Sequence, residues 1–330
     1  MSASLRTFGN SQVERMYKVF VDGQEGTTGL QIRDRLVNHP EVTLLEIDPA
    51  RRKDTDERQR LLNESDVAFL CLPDAAAKES AALVTSESTR LIDASTAHRV
   101  DPDWVYGLPE LSPEQRGAIA ASRRVANPGC HATGFNLLVA PLVAQGVIPA
   151  ATPLSAQSLT GYSGGGKGLI ARYEEATGED KARLQAPRHY SLNLAHKHLP
   201  EMQALTGLSV PPVFTPVVGP YYKGMTVTVP LHVYQLLEVN NASEVRDRLA
   251  EYYADSQFVT VAPFQSDGKV DDGFLDPQAM NGTNINEIHV FGDDQRVLLV
   301  SRLDNLGKGA SGAAVQNMNI MLGLPEALSL

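Results

Sequence analysis

Four short apolar runs, Tyr17–Asp22 (YKVFVD), Val42–Ile47 (VTLLEI), Val67–Leu72 (VAFLCL) and Arg90–Asp93, punctuate the first part of the chain. They are apolar nearly throughout rather than at alternate positions. That pattern describes strands buried on both faces, which belong to parallel sheets. Between them, Thr27–Asn38 carries Leu30, Ile32, Leu36 and Val37 at intervals compatible with a helix, and Ala75–Val84 is alanine-rich. Strands alternating with helices predict a parallel sheet covered by helices.

After Gly146 the texture changes. Longer β-like runs dominate: Leu154–Leu159, Met225–Tyr234, Ile285–Phe291 and Val297–Leu303. The stretch TVTVPLHVY alternates, as a strand with one covered face does. The expected class is α/β: a Rossmann-like nucleotide-binding domain with a mostly parallel sheet, plus an α+β domain with a mixed sheet. The first domain is expected over 1–129, with 1–16 as a loose extension, and the second over 130–304. A helix over Gly309–Leu322 is expected to pack back on the first domain, so 305–330 completes it and the break falls near Leu303.

The 330 residues carry 39 acidic and 29 basic side chains, a net charge of −10. Such a surface has no general attraction for nucleic acid or an anionic membrane. No stretch approaches the roughly 18 apolar residues of a membrane span, and the first residues lack the apolar run of a signal peptide. Two cysteines, Cys71 and Cys130, make no disulfide framework. Reduced thiols in a cytoplasmic protein are the expectation.

VDGQEGTTG places Gly23, Gly26 and Gly29 after the first strand and before the first helix. Glycines there allow a tight turn and close approach of a pyrophosphate, which the helix N-terminus then holds. Thr27 and Thr28 fill the gap between the last two glycines. Asp48, ending the second run, suits a ribose hydroxyl of NAD. Arg51, Arg52 and Lys53 follow at once and suit the extra phosphate of NADP. Both readings stand at this point.

Cys130 follows Asn127-Pro128-Gly129 and opens an expected helix, Cys130–Gln145, which Pro141 is expected to kink. A thiol at a helix N-terminus is placed for nucleophilic chemistry. Cys71 lies inside the run FLCL, where a small buried residue is expected. A base is available in HYSLNLAHKHLPE, which carries His196, His198 and Glu201. Nucleophile, base and orienting carboxylate is a recurrent catalytic arrangement. His196 and His198 lack a third ligand at standard metal spacing, so no metal is expected. His131 is a rival imidazole; adjacency in sequence does not make it face the sulfur. A second glycine cluster, GYSGGGKG (Gly161–Gly168), departs from the P-loop pattern, so no ATP site is read there. DASTAHR (Asp93–Arg99) offers Ser95, Thr96 and Arg99 to phosphoryl oxygens.

NPGC before a helix, GYSGGGK, HKHLPE, YGLPEL (Tyr106–Leu111) and DNLGKGASGAAVQNMN (Asp304–Asn319), in this order, resemble the N-acetyl-gamma-glutamyl-phosphate reductases, short type, within the aspartate-semialdehyde dehydrogenase group. The likeness runs from about Tyr17 to the end. Two departures stand out: Thr27-Thr28 in the first glycine motif, and His131 where the family usually has tyrosine or phenylalanine. The resemblance implies NADPH-dependent reduction of an acyl phosphate to a semialdehyde in arginine biosynthesis, through a thioester on Cys130. It implies His196 as acid/base, Glu201 orienting it, and Tyr190 and His198 shaping the substrate pocket with Asn127. Ser95 and Arg99 match phosphate-holding positions. The cofactor NADP(H) would meet Gly23, Gly26, Thr27, Thr28, Gly29, Arg51 and Arg52, with Ser163, Gly164 and Asn305 lining the nicotinamide. Arg188 and His189 are candidates for the substrate's distal groups. A homo-oligomer, dimer or tetramer, is implied, with no nucleic acid or membrane partner.

Two kinds of rival remain. One is a related reductase acting on aspartyl phosphate or on carrier-bound aminoadipyl phosphate. His196, His198 and Glu201 favour the glutamyl enzyme over the aspartyl one, and the acidic chain offers no evident basic surface for a carrier. The other is a non-catalytic nucleotide-binding regulator, which would have no need of Cys130 and its histidines.

Overall fold

The computed structural model describes residues 16–24, 26–268 and 270–330. Apart from Met16, the expected extension over 1–16 lies outside them. The first sheet contains β1 (Tyr17–Asp22), β2 (Val42–Leu45), β3 (Val67–Leu70), β4 (Arg90–Asp93), β5 (Val105–Tyr106) and β6 (Arg124–Ala126). All six run parallel, in the order β2-β1-β3-β4-β6-β5. β5 and β6 are too short to show as apolar runs in the sequence. β1 lies between β2 and β3, so the chain leaves it in opposite directions. A crevice at such a switch point, outside the carboxyl ends of the strands, is where this architecture receives ligands.

The helices are α1 (Thr27–Leu36), α2 (Thr55–Glu64), α3 (Asp74–Ala82), α4 (Gln115–Ala121), α5 (Cys130–Ala144), α6 (Gly166–Glu174), α7 (Gly178–Leu184), α8 (Leu199–Thr206), α9 (Ala242–Tyr252) and α10 (Gly312–Leu322). Both faces of the first sheet are covered, which explains its continuous apolarity. On one face Val19, Val21 and Ile92 pack with Ile32 and Leu36 of α1 and with Val315, Met318 and Met321 of α10. On the other, Phe20 and Leu70 pack with Leu61 and Leu62 of α2 and with Trp104. The C-terminal helix therefore lies in the core of the first sheet. It begins later than the sequence suggests, because a π-type turn occupies Gly307–Ser311. Fully buried Lys308 in that turn joins both oxygens of Glu110 and Gln316 Oε1, each at 2.8 Å. The YGLPEL and DNLGKG segments thus meet through a buried ion pair, whose disruption costs about 3–5 kcal/mol.

The second sheet contains β7 (Ser155–Gly161), β8 (Arg188–His189), β9 (Val213–Gly219), β10 (Met225–His232), β11 (Val259–Val261), β12 (Asn286–Gly292) and β13 (Arg296–Leu303). Its order is β11-β12-β13-β10-β7-β9-β8. β7 pairs parallel with β9 and β11 with β12; the other pairs are antiparallel. In β10, Met225, Val227, Val229 and Leu231 are buried, while Pro230 and His232 are exposed. The buried side of the sheet packs against α5 and α9, and α8 packs on α5. Pro141 sits inside α5 without ending it. Proline removes the N–H that Leu137 would otherwise accept; the Tyr253 hydroxyl donates to that carbonyl instead, at 2.8 Å.

Candidate active site

A cavity of about 650 Å³ lies between the carboxyl ends of the first sheet and the second sheet. At one end it is lined by Thr27 and Thr28, at the other by Cys130, His131, Tyr190, His196 and His198. Arg99, Asn127, Ser163, Gly164, Arg172, Arg188, His189, Lys197 and Asn305 also line it.

The nucleotide end is made of backbone. Gly23 has φ +89°, and a Cβ on it would lie 2.4 Å from the Cys71 carbonyl oxygen. A Cβ on Gly29 would lie 2.5 Å from the Gly23 oxygen. Both positions therefore require glycine. α1 starts without a side-chain cap or an acidic residue in its first turn. The Thr27 hydroxyl is buried without a hydrogen-bond partner among the described residues. An uncapped helix start, a tight glycine turn and an orphan hydroxyl fit a dinucleotide phosphate. Ser163 accepts from Asn305 Nδ2 at 3.1 Å, and Asn305 Oδ1 accepts from the Gly224 N–H at 2.8 Å. These bonds join the second glycine loop to the end of β13. Arg51 turns to Asp54 and Glu57 (2.9 and 3.0 Å), and Arg52 is exposed in the same loop after β2. Neither reaches the cavity wall. Asp48 Oδ1 accepts from the Ala50 N–H.

The reactive end is made of side chains. Cys130 is the first residue of α5, after Gly129 as an N-cap without a side-chain cap. A Cβ on Gly129 would lie 2.4 Å from both Arg99 Nη1 and His198 Nε2, so the close packing of this corner depends on that glycine. Glu201, almost fully buried, accepts from Arg99 Nη1 at 2.6 Å, from the Tyr106 hydroxyl at 2.7 Å and from the Gly129 N–H at 3.1 Å. Its oxygen lies 3.9 Å from His198 Nε2. Glu201 therefore holds Arg99 and the cysteine turn; it makes no hydrogen bond to His196, the residue the sequence reading gave it to orient.

The imidazoles cluster. His196 lies edge-on to His131 and His198, with ring centroids 5.3 and 4.8 Å apart. His196 Nδ1 accepts from the His198 backbone N–H at 3.2 Å, which leaves the proton of the neutral ring on Nε2. His39 makes the same turn with the Glu41 N–H, and there Nε2 faces the acceptor Asn319 Oδ1. His198 Nδ1 is buried without a partner among the described residues. Cys130 Sγ and one nitrogen each of His131 and His198 lie within 4.8 Å of one another, the spacing of a three-ligand metal group. Both His131 nitrogens are already engaged, by Ser158 and Tyr190.

Burial pushes the Cys130 thiol up to about 11; Arg99, the His131 backbone N–H and Lys197 oppose that push, and Glu201 adds to it. Burial drives His196 down to about 4, helped by Lys197 and Arg99. His131 falls to about 3, and His198 well below its ordinary value, for the same first cause. At neutral pH the corner therefore rests as a thiol among neutral imidazoles, not as a thiolate–imidazolium pair.

Ser95 is nearly buried. Its hydroxyl donates to Asp93 Oδ2 at 2.7 Å and accepts from the Ala97 N–H, so Ala94 and Arg99 line the cavity in its place. Asn127 reaches the wall, but its Nδ2 bonds to the Ala310 carbonyl and its Oδ1 accepts from Asn317. Sequence reasoning passed over Tyr106 and Ser158. The signal for Ser158 was available: Ala156, Ser158 and Thr160 share the buried face of β7, and a hydroxyl there needs a partner.

Two profiles match: "Semialdehyde dehydrogenase, NAD binding domain" over residues 48–119 and "Semialdehyde dehydrogenase, dimerisation domain" over 130–305. The chain is similar in fold to an aspartate semialdehyde dehydrogenase from Francisella tularensis (TM-score 0.69, 15% identity, 93% of this chain and 100% of that one). It is likewise similar to aspartate semialdehyde dehydrogenase II from Vibrio cholerae (TM-score 0.68, 15% identity, 94% and 99%). Fold and site define the semialdehyde dehydrogenase class. Nearer likenesses are narrower: N-acetyl-gamma-glutamyl-phosphate reductase 2 of a Nostoc species is 50% identical over 95% of this chain and 99% of its own length, and the N-acetyl-gamma-glutamyl-phosphate reductase of a Chelativorans species is 46% identical over 92% and 98%. The chain belongs to the N-acetyl-gamma-glutamyl-phosphate reductase family.

Proposed function

We propose that Cys130 carries the acyl group during NADPH-dependent reduction of N-acetyl-L-glutamyl 5-phosphate to N-acetyl-L-glutamate 5-semialdehyde and phosphate. The observation that carries this is the position of Cys130: at a helix start, in one cavity with both glycine loops, beside three neutral imidazoles. The activity is that of an NADP-dependent phosphorylating semialdehyde dehydrogenase of arginine biosynthesis, as family membership implies.

Cys130 sulfur attacks the acyl carbon, the C–O bond to phosphate breaks, and a thioester forms. His198, with a buried unpartnered Nδ1, takes the thiol proton as the bond forms. This moves the thiol-activating role from His196. His196, with its proton on Nε2, suits donation to the oxygen of the thiohemiacetal. Arg99, fixed by Glu201, faces the leaving phosphate. When bound, NADPH would supply the hydride that turns the thioester into the thiohemiacetal, whose C–S bond then breaks to release the semialdehyde and return Cys130 as the thiol. Gly23, Gly26, Thr27, Thr28 and Gly29 would hold its phosphates, Ser163, Gly164 and Asn305 the nicotinamide end, and Arg51 and Arg52 the 2′-phosphate. Arg172 and Arg188 line the cavity without a carboxylate partner among the described residues, which suits the substrate's α-carboxylate.

Residues 1–129 with 305–330 would form the NADP-binding unit and 130–304 the catalytic and dimerisation unit. The exposed side of β10 offers a face for a dimer or tetramer, and sedimentation at micromolar concentration tests it: a monomer alone would remove the idea. Among the described residues no helix is long and apolar enough to cross a membrane; cytoplasmic location is part of the proposal.

The test is NADP-dependent, phosphate-requiring oxidation of three semialdehydes, those of N-acetylglutamate, aspartate and aminoadipate. Preference for the first is expected. Equal or better activity on aspartate semialdehyde would overturn the substrate assignment.

A further inference from the structure

No step of the chemistry above assigns a role to the ring of His131. Both of its nitrogens are nevertheless bound. Nδ1 lies 2.8 Å from Ser158 Oγ and Nε2 lies 2.8 Å from the Tyr190 hydroxyl oxygen.

Ser158 is fully buried on β7, and His131 is its hydrogen-bond partner through the side chain. A buried hydroxyl hydrogen needs an acceptor, and among the described residues the one in reach is His131 Nδ1. Ser158 therefore donates to Nδ1. His131 is buried and its pKa is driven to about 3, first by burial and then by His196 and Lys197, so the ring is neutral with one proton. With Nδ1 accepting, that proton sits on Nε2 and is donated to the Tyr190 oxygen. Tyr190 then accepts on the His131 side, and its own O–H is turned elsewhere. Its phenol is held protonated, because burial pushes its pKa up and an ionised Cys130 would push it further. Tyr190 lines the same cavity wall as Cys130, and among the described residues its hydroxyl has no hydrogen-bond partner apart from His131. The reverse polarity would have Tyr190 donating to Nε2 and the ring proton on Nδ1. It would leave the Ser158 hydrogen buried without an acceptor.

We propose that His131 is a positioning residue: the chain Ser158 to His131 to Tyr190 fixes the Tyr190 hydroxyl as a hydrogen-bond donor into the cavity, toward the carbonyl oxygen of the acyl group on Cys130. A donor aimed at that oxygen stabilises the negative charge that develops there when sulfur adds. The proposal rests on the thioester reading for the target of the donor. The tautomer of His131 does not depend on it.

Two measurements test the proposal. In wild-type protein labelled with 15N-histidine, NMR should find His131 neutral at pH 7 with its proton on Nε2. A proton on Nδ1, or a charged ring, overturns the chain. In kinetics, Tyr190→Phe should lower kcat about a hundredfold. Ser158→Ala should lower it about tenfold with KM within about twofold, Ser158→Thr should restore most of the loss, and Ser158→Ala should cost nothing further in the Tyr190→Phe background. An equal cost of Ser158→Ala in both backgrounds would mean that Ser158 acts through packing, and would overturn the proposal. If Cys130 were not the nucleophile, the NMR result would stand while the kinetic cycle failed.

Discussion

The chain's two cysteines sit at comparable places, each just beyond the carboxyl end of a strand in the first sheet, yet their surroundings act in opposite senses. Cys71 follows β3; burial raises its thiol pKa, and Asp93 and Asp22 raise it further. Cys130 follows β6 through Asn127-Pro128-Gly129. Burial raises its pKa too, but Arg99, the His131 backbone N–H and Lys197 oppose the rise. One thiol is pushed up by two carboxylates; at the other, two cations and a helix start oppose burial, and one carboxylate, Glu201, adds to it. What separates a structural cysteine from a reactive one here is the balance of charge nearby, since both are half-buried. Arg99 brings the positive charge because Glu201, from α8, pins its guanidinium against Gly129.

The comparison breaks most easily at Cys130. Cys130→Ser should reduce phosphate-dependent semialdehyde oxidation by about 10⁴-fold or more. Iodoacetamide should label Cys130 and spare Cys71, as peptide mapping would read. Labelling of Cys71 at a similar rate would remove the electrostatic distinction.

The charges around Cys130 give the next effect. The thiolate fraction rises about tenfold per pH unit below the pKa. Alkylation of Cys130 should therefore climb from pH 7 toward pH 10, with no plateau near 6 or 7. Arg99→Met should move the climb to higher pH and Glu201→Gln to lower pH, because the first removes a cation and the second an anion. Shifts in the same direction would point to loosened packing instead. Both variants disturb a buried pair and should lose about 3–5 kcal/mol of stability, read by denaturant unfolding.

Arg51 and Arg52 are exposed, so their effect should be smaller. Alanine at either should raise KM for NADPH about two- to fivefold and leave KM for NADH unchanged. An equal change for both cofactors would remove the 2′-phosphate assignment. Cys71→Ser should be the mildest change, within about twofold in every kinetic constant.

Much of the nucleotide end was legible in sequence because it is built from backbone. Gly23 and Gly29 are required by contacts with residues close by in the chain or on the next strand, and glycine announces such turns. The parallel sheet was legible because burial on both faces leaves no polar alternation. The reactive end was legible only in its parts. That Cys130 opens a helix could be read locally. That Glu201 binds Arg99 and Tyr106 could not, since those residues are brought together by the docking of α8 on α5. The HKHLPE motif suggested a carboxylate serving the first histidine. Turn geometry instead gives the Nδ1 of His196 to a backbone N–H and turns the carboxylate to an arginine. Ser158, Tyr190 and His131 meet for the same tertiary reason. The C-terminal helix was expected to return to the first domain, but its buried Lys308–Glu110 tie needed the fold to be seen.

The central claim is that Cys130, and not Cys71, carries the acyl group. Incubating the protein with N-acetyl-L-glutamate 5-semialdehyde and NADP⁺, with phosphate withheld, should leave the thioester undischarged. Intact-mass and peptide analysis after acid quenching should then find one N-acetylglutamyl group on Cys130 and none in Cys130→Ser. An acyl group on another residue, or steady turnover with no adduct on Cys130, would contradict the account.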